Sequence, residues 1–372
     1  MRILFVDQFS ELGGAQLGLR DIMLEGRRRG WDMSFLALGD GPLFRFCEAV
    51  GIRAQSIPAM PYSSARKSAM DVFRYGFDMS RAALVIRDFA RRQKSDLVYV
   101  NGPRVLLAAA AASRPFIFHL HSLLDKRYSR IIARSCLRSN RGTAIAVSES
   151  VAGGLGSAVR VIYNGVADQG YLPRQSSFWI NDSRRPARIG IIGRIAPEKG
   201  HLDFVRAARL MPDARFIVFG AALFSDPAYE AKVRAAASGL PVEFRGWTND
   251  VGAALREIDI VAVPSAAVEA TPRIVMEAFS AGTPVVAYPS GGIPEMVRHR
   301  DTGLLTADAS SEALAQALSS MAGNSELLSR CSAHGRREWE KRFRLQRFQA
   351  DVANLIVNRC AERRVRGEFA TV

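Results

Sequence analysis

Two glutamates in one short stretch are the residues of this chain best suited to do chemistry. Glu269 and Glu277 stand eight positions apart, and Thr271-Pro272 between them has the form of a helix start. Thr271 suits the N-cap, and Pro272 fits the first helical position, where a missing N–H does no harm. The pattern predicts Glu269 on a loop and Glu277 about a turn and a half into the helix.

The start of this predicted helix is a candidate anion site. The backbone amides of Arg273 and Ile274 would lie in its first turn, where N–H groups lack helical partners and the helix dipole favours negative charge. An anion with hydroxyl groups on either side is the chemistry of a sugar nucleotide. An ordinary capped amphipathic helix explains the same residues, so this stretch alone does not identify an anion site.

A second stretch carries two cations just after a predicted strand, Arg188–Gly193. Arg194 and Lys199 lie in the following turn, before a helix predicted over His201–Leu210. An arginine makes forked contacts to phosphate, and a lysine supplies a mobile point charge. Together they would make a diphosphate clamp; a solvated turn is the alternative.

Glycine pairs follow two other predicted strands. Gly13-Gly14 comes after the first strand, and Gly291-Gly292, with Ile293, follows the strand Pro284–Tyr288. Such loops let backbone amides approach a phosphate closely. The dinucleotide fingerprint G-x-G-x-x-G is absent, so each loop alone is weak evidence and their joint occurrence is the signal.

The elements that must position these loops alternate between short apolar runs and amphipathic helical patterns. This alternation predicts parallel sheets covered on both faces, with ligands bound beyond the carboxyl ends of the strands. We predict a domain over residues 1–172, a linker over 173–187, a second domain over 188–337 and a helix in 338–372. The other predicted strands are Ile3–Val6, Met33–Leu38, Asp96–Val100, Pro115–Leu120, Thr143–Val147, Arg215–Phe219, Val242–Arg245 and Asp259–Val263.

His119 and His121 close one of these strands and share one of its faces. A metal site would need a third ligand at a recognisable spacing, and no such ligand is evident, so we predict no metal. A histidine at a strand end is often structural. His121 comes last and therefore lies nearest the expected ligand site, although the register between the two stays open.

Composition and charge limit the class of protein. The chain has 372 residues, of which 48% are hydrophobic and 23% charged, with four scattered cysteines and no apolar run long enough to span a membrane. We therefore expect a cytoplasmic protein. Its net charge of +15 is concentrated in residues 1–170, where 24 Lys+Arg against 14 Asp+Glu leave +10.

This basic first half suggests an anionic partner. Residues 126–138 predict a basic amphipathic helix that could rest on the inner face of an anionic membrane, although a solvated basic face is an alternative. Basic residues interleaved with aromatic residues, as in nucleic-acid-binding proteins, are not evident, so we predict no nucleic-acid partner.

Taken in order, the motifs resemble a known family. Residues 193–200, Glu269-x7-Glu277, Gly282-x-Pro284 and Gly291-Gly292-x-Pro294-Glu295 are similar to those of retaining glycosyltransferases of the GT4 type. The resemblance is strong over residues 188–306 and weaker over 1–170. It implies the GT-B fold, in which two Rossmann-like doubly wound parallel-sheet domains face a cleft and the C-terminal one binds a nucleotide-sugar donor.

The resemblance also implies roles for individual residues. Arg194 and Lys199 match the residues that grip the diphosphate, Glu277 the carboxylate on the ribose, and Glu269 the one directed at the transferred sugar. The other matches are the Gly291-Gly292-Ile293 loop lining the sugar hydroxyls, Gly13-Gly14 closing over the substrates, and His121 near the reacting sugar.

The reaction implied is transfer with retention to a lipid-linked or polysaccharide acceptor in cell-surface glycan synthesis. The departing phosphate would take the acceptor proton, and no cofactor or metal is required by any visible motif. Two alternatives stay open: a nucleotide-sugar epimerase on the same architecture, and a nucleic-acid-binding protein suggested by charge alone.

Overall fold

The computed structural model describes residues 1–58, 69–112, 114–138, 142–156, 159–174, 185–223, 225–267 and 269–365. The chain divides into two compact units, which we call unit 1 (Met1–Asn164 and Gln346–Val372) and unit 2 (Gly165–Leu345). Most of the predicted linker, residues 173–187, lies outside the described residues, so the linker stays a prediction.

Unit 1 is built on a parallel sheet. Its described strands are β1 Arg2–Asp7, β2 Asp32–Leu38, β3 Arg53–Ile57, β4 Leu97–Asn101, β5 Phe116–Leu120, β6 Gly142–Ala146 and β7 Val159–Val161. Their order across the sheet is β3-β2-β1-β4-β5-β6-β7, with every pair parallel. Every residue of β4 and β5 is buried, as expected for near-continuous apolar strands covered on both faces.

Helices connect these strands, and one helix returns from the end of the chain. The described helices are α1 Gly14–Arg28, α2 Pro42–Ala49, α3 Ala69–Arg92, α4 Leu106–Ala111, α5 Arg127–Leu137 and α6 Glu149–Ala152. Helix α14, Leu345–Val365, packs against α1. Its Gln349 side chain donates to the Asp21 carbonyl at 2.7 Å and accepts from Arg28 at 2.8 Å.

Unit 2 is built on a second parallel sheet. Its described strands are β8 Arg188–Ile192, β9 Arg215–Phe219, β10 Val242–Gly246, β11 Ile260–Val263, β12 Val285–Ala287 and β13 Gly303–Leu305. The order across the sheet is β10-β9-β8-β11-β12-β13, again with every pair parallel. Fully buried aromatic side chains of Phe204, Phe216 and Tyr288 fill the core on one face.

The helices of unit 2 alternate with its strands. The described ones are α7 His201–Leu210, α8 Pro227–Ala236, α9 Val251–Glu257, α10 Arg273–Ala281, α11 Ile293–Met296, α12 Ser311–Ala322 and α13 Ser325–Glu338. A π-helical turn, Trp339–Phe343, follows α13 directly, and α14 then runs from Leu345 to Val365. The two Rossmann-like domains predicted from the sequence are therefore present.

The helix predicted in residues 338–372 is interrupted at Arg344, which adopts an extended conformation. The Val166 amide donates to the Phe343 carbonyl at 2.9 Å, and the Leu345 amide donates to the Val166 carbonyl at 3.0 Å. The backbone thus pairs with a segment far away in sequence instead of continuing the helix.

Each sheet has one point where the strand order reverses. In unit 1 it lies between β1 and β4, and in unit 2 between β8 and β11. At such a point the connections leave in opposite directions and open a crevice at the carboxyl ends of the two strands. Each unit therefore has one such crevice, where a ligand is expected to bind.

Candidate active site

In unit 2 the two loops at the reversal point carry most of the predicted donor-binding side chains. Residues 193–199 follow β8 and hold Arg194 and Lys199. Residues 264–272 follow β11 and hold Glu269. Because β8 and β11 are hydrogen-bonded neighbours, side chains separated by about seventy positions leave the sheet at the same edge.

Two glycines allow these loops to approach each other. Gly200 has φ +73°, and a Cβ built on it would stand 1.8 Å from the Pro264 carbonyl oxygen. A Cβ on Gly220, which follows β9, would stand 2.1 Å from the Gly193 carbonyl oxygen. No side chain fits at either position, so the backbone of β8's loop is packed directly on its neighbours.

Both predicted phosphate-binding cations lie beside carboxylates. Lys199 forms an ion pair with Glu269, and Arg194 forms one with Glu198. The four side chains are partly exposed, between 16% and 38% of their surface. The charges are therefore held in defined positions at the crevice and remain accessible to a ligand.

Backbone hydrogen bonds connect the same loops. The Glu198 carbonyl accepts from the Ala266 amide at 3.1 Å. The Glu269 carbonyl accepts from the Gly292 amide at 2.7 Å, and the Ser290 hydroxyl donates to the Ala267 carbonyl at 2.8 Å. The structure thus brings together Lys199, Glu269 and the Gly291-Gly292 loop as one assembly.

The start of α10 differs from the sequence-based prediction. The helix begins at Arg273, and Pro272, with φ −63° and ψ 120°, occupies the N-cap position that we had predicted for Thr271. The Val275 amide donates to the Pro272 carbonyl at 3.1 Å. Pro272 can cap because a proline keeps its carbonyl and lacks only the N–H, which an N-cap does not need. Arg273 and Ile274 still occupy the first turn.

Glu277 lies on the same helix, one turn after Arg273. Their side chains are 3.6 Å apart, and both are largely buried, with 13% and 17% of their surfaces exposed. The neighbouring guanidinium holds this carboxylate in a fixed orientation, which suits an acceptor for ligand hydroxyls.

The third loop has a tight conformation. Gly291 has φ +56°, and Gly292 precedes the short helix α11, which begins at Ile293. Gly292 and Ile293 are buried, whereas Gly291 is partly exposed. Gly291, which has no side chain, can therefore offer only backbone groups to a ligand.

In unit 1 the predicted residues lie at the other reversal point. Gly13 and Gly14 are exposed at the N-terminus of α1, directly after the loop that leaves β1. His121 follows β5, and its Nε2 lies 2.7 Å from Asn101 Oδ1. Burial lowers the pKa of His121 to about 3, so the ring is neutral at physiological pH.

The structure shows which of the two histidines, His119 or His121, is exposed. His119 is fully buried, and its Nδ1 lies 2.6 Å from the Tyr99 hydroxyl. The ring of His121 is 3.9 Å from that of His119 and is partly exposed. His121 is therefore the histidine that a ligand can reach, and His119 packs beneath it.

Sequence reasoning missed two polar residues beside His121. Asp7 ends β1 and Asn101 ends β4, and both are buried and hydrogen-bonded to each other. A polar residue ending an otherwise apolar strand was a visible signal. Its meaning depended on knowing that β1 and β4 are neighbours.

Comparisons with known proteins agree with this architecture. Residues 13–171 match the model of the glycosyl transferase 4-like domain, and residues 186–324 match that of glycosyl transferases group 1. The D-inositol 3-phosphate glycosyltransferase of Mycobacterium sp. (strain KMS) is 35% identical over 127 residues, which is 32% of this chain and 29% of that protein. The chain thus aligns with under a third of the length of this curated relative.

Solved structures are similar over nearly the whole chain. HepE from Anabaena, in complex with UDP, has a TM-score of 0.80 and 25% identity, over 96% of this chain and 100% of that one. A further structure of HepE contains UDP-glucose, with a TM-score of 0.77. Sucrose-phosphate synthase from Thermosynechococcus elongatus, at 17% identity over 97% of this chain and 100% of that one, shares the fold with a TM-score of 0.77.

The two family models match a large part of each unit and include all the predicted site residues. The solved structures named above share the fold of this chain. This chain therefore belongs to the group 1 glycosyltransferases with the GT-B fold.

Proposed function

We propose that this protein is a retaining glycosyltransferase that moves a sugar from a nucleotide-sugar donor to a lipid-linked or polysaccharide acceptor in cell-surface glycan synthesis. The observation that carries the proposal is the Lys199–Glu269 pair at the strand reversal of unit 2. It sets a cation for a diphosphate next to a carboxylate for sugar hydroxyls, and the Gly292 amide donates to the carbonyl of the same glutamate.

The donor half of the proposal rests on charge and position. Arg194 and Lys199 are the cations of the loop after β8, and helix N-termini such as that of α10 favour anions. Glu277 would accept hydrogen bonds from the ribose. The Anabaena relative was solved with UDP and with UDP-glucose, which supports a nucleotide sugar as the donor class.

The mechanism follows from where charge develops. When the glycosidic bond to the diphosphate breaks, negative charge grows on the leaving phosphate, and prepositioned cations and amides stabilise it without reorganisation. Glu269 would bind hydroxyl groups of the transferred sugar. His121 would also bind a sugar hydroxyl, as the resemblance implies. The leaving phosphate oxygen takes the proton of the acceptor hydroxyl. The acceptor oxygen bonds to the anomeric carbon on the face that the phosphate leaves, which gives retention.

Side chains and amides provide this charge stabilisation, so we propose transfer without a metal or cofactor. Activity that is unchanged by a chelator such as EDTA is the expected result. Activity that disappears with EDTA and returns with a divalent cation would contradict this part of the proposal.

The acceptor half rests on one surface of unit 1. Helix α5 exposes the large apolar side chains Tyr128, Ile131 and Ile132 at 57%, 53% and 41%. Lys126 and Arg127 are exposed beside them. A helix that displays apolar groups among cations fits the interface of an anionic membrane, where lipid-linked acceptors reside. Among the described helices, none has the length and apolar character of a membrane span.

A transfer assay tests the proposal. The protein is incubated with GDP-, UDP- and dTDP-sugars in turn, with and without vesicles that contain a lipid-linked acceptor. We expect one donor to raise the melting temperature, because a ligand bound to the native state stabilises it. The same donor should lose its sugar to the acceptor, with the anomeric configuration of the product the same as in the donor.

Three outcomes would contradict the proposal. Inversion at the anomeric carbon would overturn the retaining mechanism. Conversion of the sugar nucleotide to an epimer without an acceptor would replace transfer by epimerisation. A chain that binds none of the sugar nucleotides would remove the donor assignment altogether.

A further inference from the structure

Polar side chains converge at the strand reversal of unit 1, at a depth where sheets are usually apolar. Asp7 and Asn101 end the neighbouring strands β1 and β4, and Gln16 reaches them from α1. All three are at least 95% buried. Burying a polar group costs free energy unless it is hydrogen-bonded. Which group donates and which accepts is therefore constrained in this cluster.

Asp7 determines the orientation of the Asn101 side-chain amide. Its Oδ1 accepts from the Phe9 amide at 2.9 Å and from Gln16 Nε2 at 3.0 Å. Its Oδ2 accepts from Asn101 Nδ2 at 2.5 Å. Burial raises the pKa of Asp7 to about 7, so at pH 8 most of its carboxyl group is ionised and can only accept. At that pH Asn101 has to turn its NH₂ group toward Asp7. The Asn101 carbonyl oxygen must then point the other way.

The orientation of the Asn101 amide determines which nitrogen of His121 carries the proton. Its Nε2 lies 2.7 Å from Asn101 Oδ1, and an amide oxygen can only accept, so the proton of the neutral ring is on Nε2. The other nitrogen, Nδ1, therefore carries a lone pair. Within the described residues, this buried Nδ1 has no hydrogen-bond partner.

We propose that Asp7 and Asn101 are positioning residues that hold His121 as the Nε2–H tautomer, so that Nδ1 accepts a hydrogen bond from a sugar hydroxyl. The sugar as the ligand rests on the proposed function. The direction of the bond does not, because it follows from the ionised Asp7 carboxylate and from the donor and acceptor ends of the Asn101 amide. An unprotonated Nδ1 selects a group that donates, such as a hydroxyl, and disfavours phosphate and carbonyl oxygens.

His119 does not fit this role. It is fully buried within β5, and its Nδ1 already contacts the Tyr99 hydroxyl. It has no hydrogen bond to the Asp7–Asn101 pair among the described residues. It therefore serves as an internal reference for any measurement on His121.

The tautomer can be measured without knowing the substrate. The chain has five histidines, so ¹⁵N-labelled histidine gives few resonances, and a His121→Gln variant assigns the signals of that ring. We expect long-range ¹H–¹⁵N correlations of the wild-type protein at about pH 8 to show a neutral His121 with the proton on Nε2. A proton on Nδ1, or a charged ring, would overturn the inference even if the enzyme transfers sugar.

Variants of Asn101 then test its positioning role. Asn101→Ala removes the acceptor for Nε2–H, and we expect His121 to become a mixture of tautomers while His119 is unchanged. Asn101→Asp keeps an acceptor oxygen for Nε2–H, and a proton shared between the two neighbouring carboxyl groups replaces the lost NH₂ donor to Asp7, so the Nε2–H form should be retained. If Asn101→Ala leaves the His121 tautomer as in the wild type, Asn101 has no positioning role. If either variant fails to fold, the wild-type spectrum still decides the inference.

The kinetic readout separates positioning from a purely structural role. With the donor identified in the transfer assay, Asn101→Ala should lower kcat/KM about tenfold to a hundredfold, as expected when a contact to a substrate is misplaced. Asn101→Asp should recover part of that loss. Equal losses in the two variants at equal melting temperature would contradict the proposal. If no donor is found, the proposed function fails, and the tautomer measurement still stands.

Discussion

Lys199 and Glu269 form an ion pair although seventy positions separate them in the chain. A partly exposed pair of this kind contributes about 0–1 kcal/mol to folding, so its importance for stability is small. Its importance for a ligand is larger, because the pair holds a cation and a carboxylate in place at the edge where β8 and β11 end. A diphosphate arriving there would meet an ammonium group that needs little reorganisation.

Replacing Lys199 should therefore impair transfer far more than stability. We expect Lys199→Met to lower kcat about a hundredfold to a thousandfold, since a prepositioned charge on the leaving group is lost. The melting temperature should change little. Steady-state kinetics with the identified donor provide the measurement.

A matched control is available on α7 of the same unit. Arg206 also pairs with a carboxylate, that of Asp203, and its side chain is 65% exposed. Arg206→Met should leave transfer unchanged. The assignment of the diphosphate clamp fails if Lys199→Met and Arg194→Met both transfer sugar at the wild-type rate.

Gly200 should tolerate no side chain. In Gly200→Ala the new Cβ would collide with the Pro264 carbonyl and would also require a left-handed backbone conformation. We expect a loss of about 3 kcal/mol or more in the free energy of unfolding, from overpacking added to backbone strain. Urea denaturation followed by circular dichroism measures this loss.

Gly239 separates the two contributions. It has a similar φ of +75°, but a Cβ there would meet nothing within 4 Å. Gly239→Ala should cost only about 1–2 kcal/mol, the strain of the left-handed conformation alone. Equal losses at Gly200 and Gly239 would show that the approach of the Gly200 loop to Pro264 is not tight in solution.

Asp7 should make stability depend on pH. Burial raises the pKa of its carboxyl from 3.8 to about 7, so the native state holds a proton that the unfolded chain has released. Stability from this group is therefore full below about pH 4 and declines until about pH 7. Between about pH 5 and pH 8 the decline covers roughly two pKa units, or about 3 kcal/mol at 1.4 kcal/mol per unit.

The comparison with Asp7→Asn isolates this effect. Burial also lowers the pKa of His121 to about 3, which acts in the opposite direction, but that titration is common to both proteins. We expect the stability of Asp7→Asn relative to the wild type to improve from about pH 5 to about pH 8. A difference between the two proteins that is constant over this range would mean that Asp7 is already ionised at low pH in the native state.

The exposed apolar face of α5 should determine binding to membranes. Ile131→Glu combined with Ile132→Glu removes two apolar side chains and adds two negative charges, so we expect the protein to stop sedimenting with anionic vesicles. Leu84→Glu is the control, because Leu84 is 67% exposed on α3 of the same unit. The membrane proposal is wrong if both variants bind the vesicles equally well, or if the wild type binds neutral and anionic vesicles alike.

Much of the architecture could be predicted from the sequence, because buried parallel strands are near-continuous apolar runs. The runs at Ile3–Val6 and Arg215–Phe219 appear as strands in the structure at nearly the same residues. The short strands β3, β7 and β13 were not predicted. β3 is largely exposed and polar, so it exists by pairing with β2 and not through a pattern of its own.

The types and order of the site residues were equally visible. Arg194, Lys199, Glu269 and Glu277 were selected because cations and carboxylates follow strands in a recognisable sequence, and local chemistry of this kind does not depend on distant contacts. The start of α10 was predicted one residue too early, since a threonine and a proline can both cap and only the backbone angles decide between them.

Only the tertiary structure decided which of these residues meet. The strand order places Lys199 beside Glu269 and joins Asp7 to Asn101, and a one-dimensional pattern contains no information on which parallel strands are neighbours. It also decided that His119 is enclosed and that His121 is held by a carboxamide. Hydrogen-bond direction, burial and close backbone approach are properties of packed neighbours, and they arise when the sheets form.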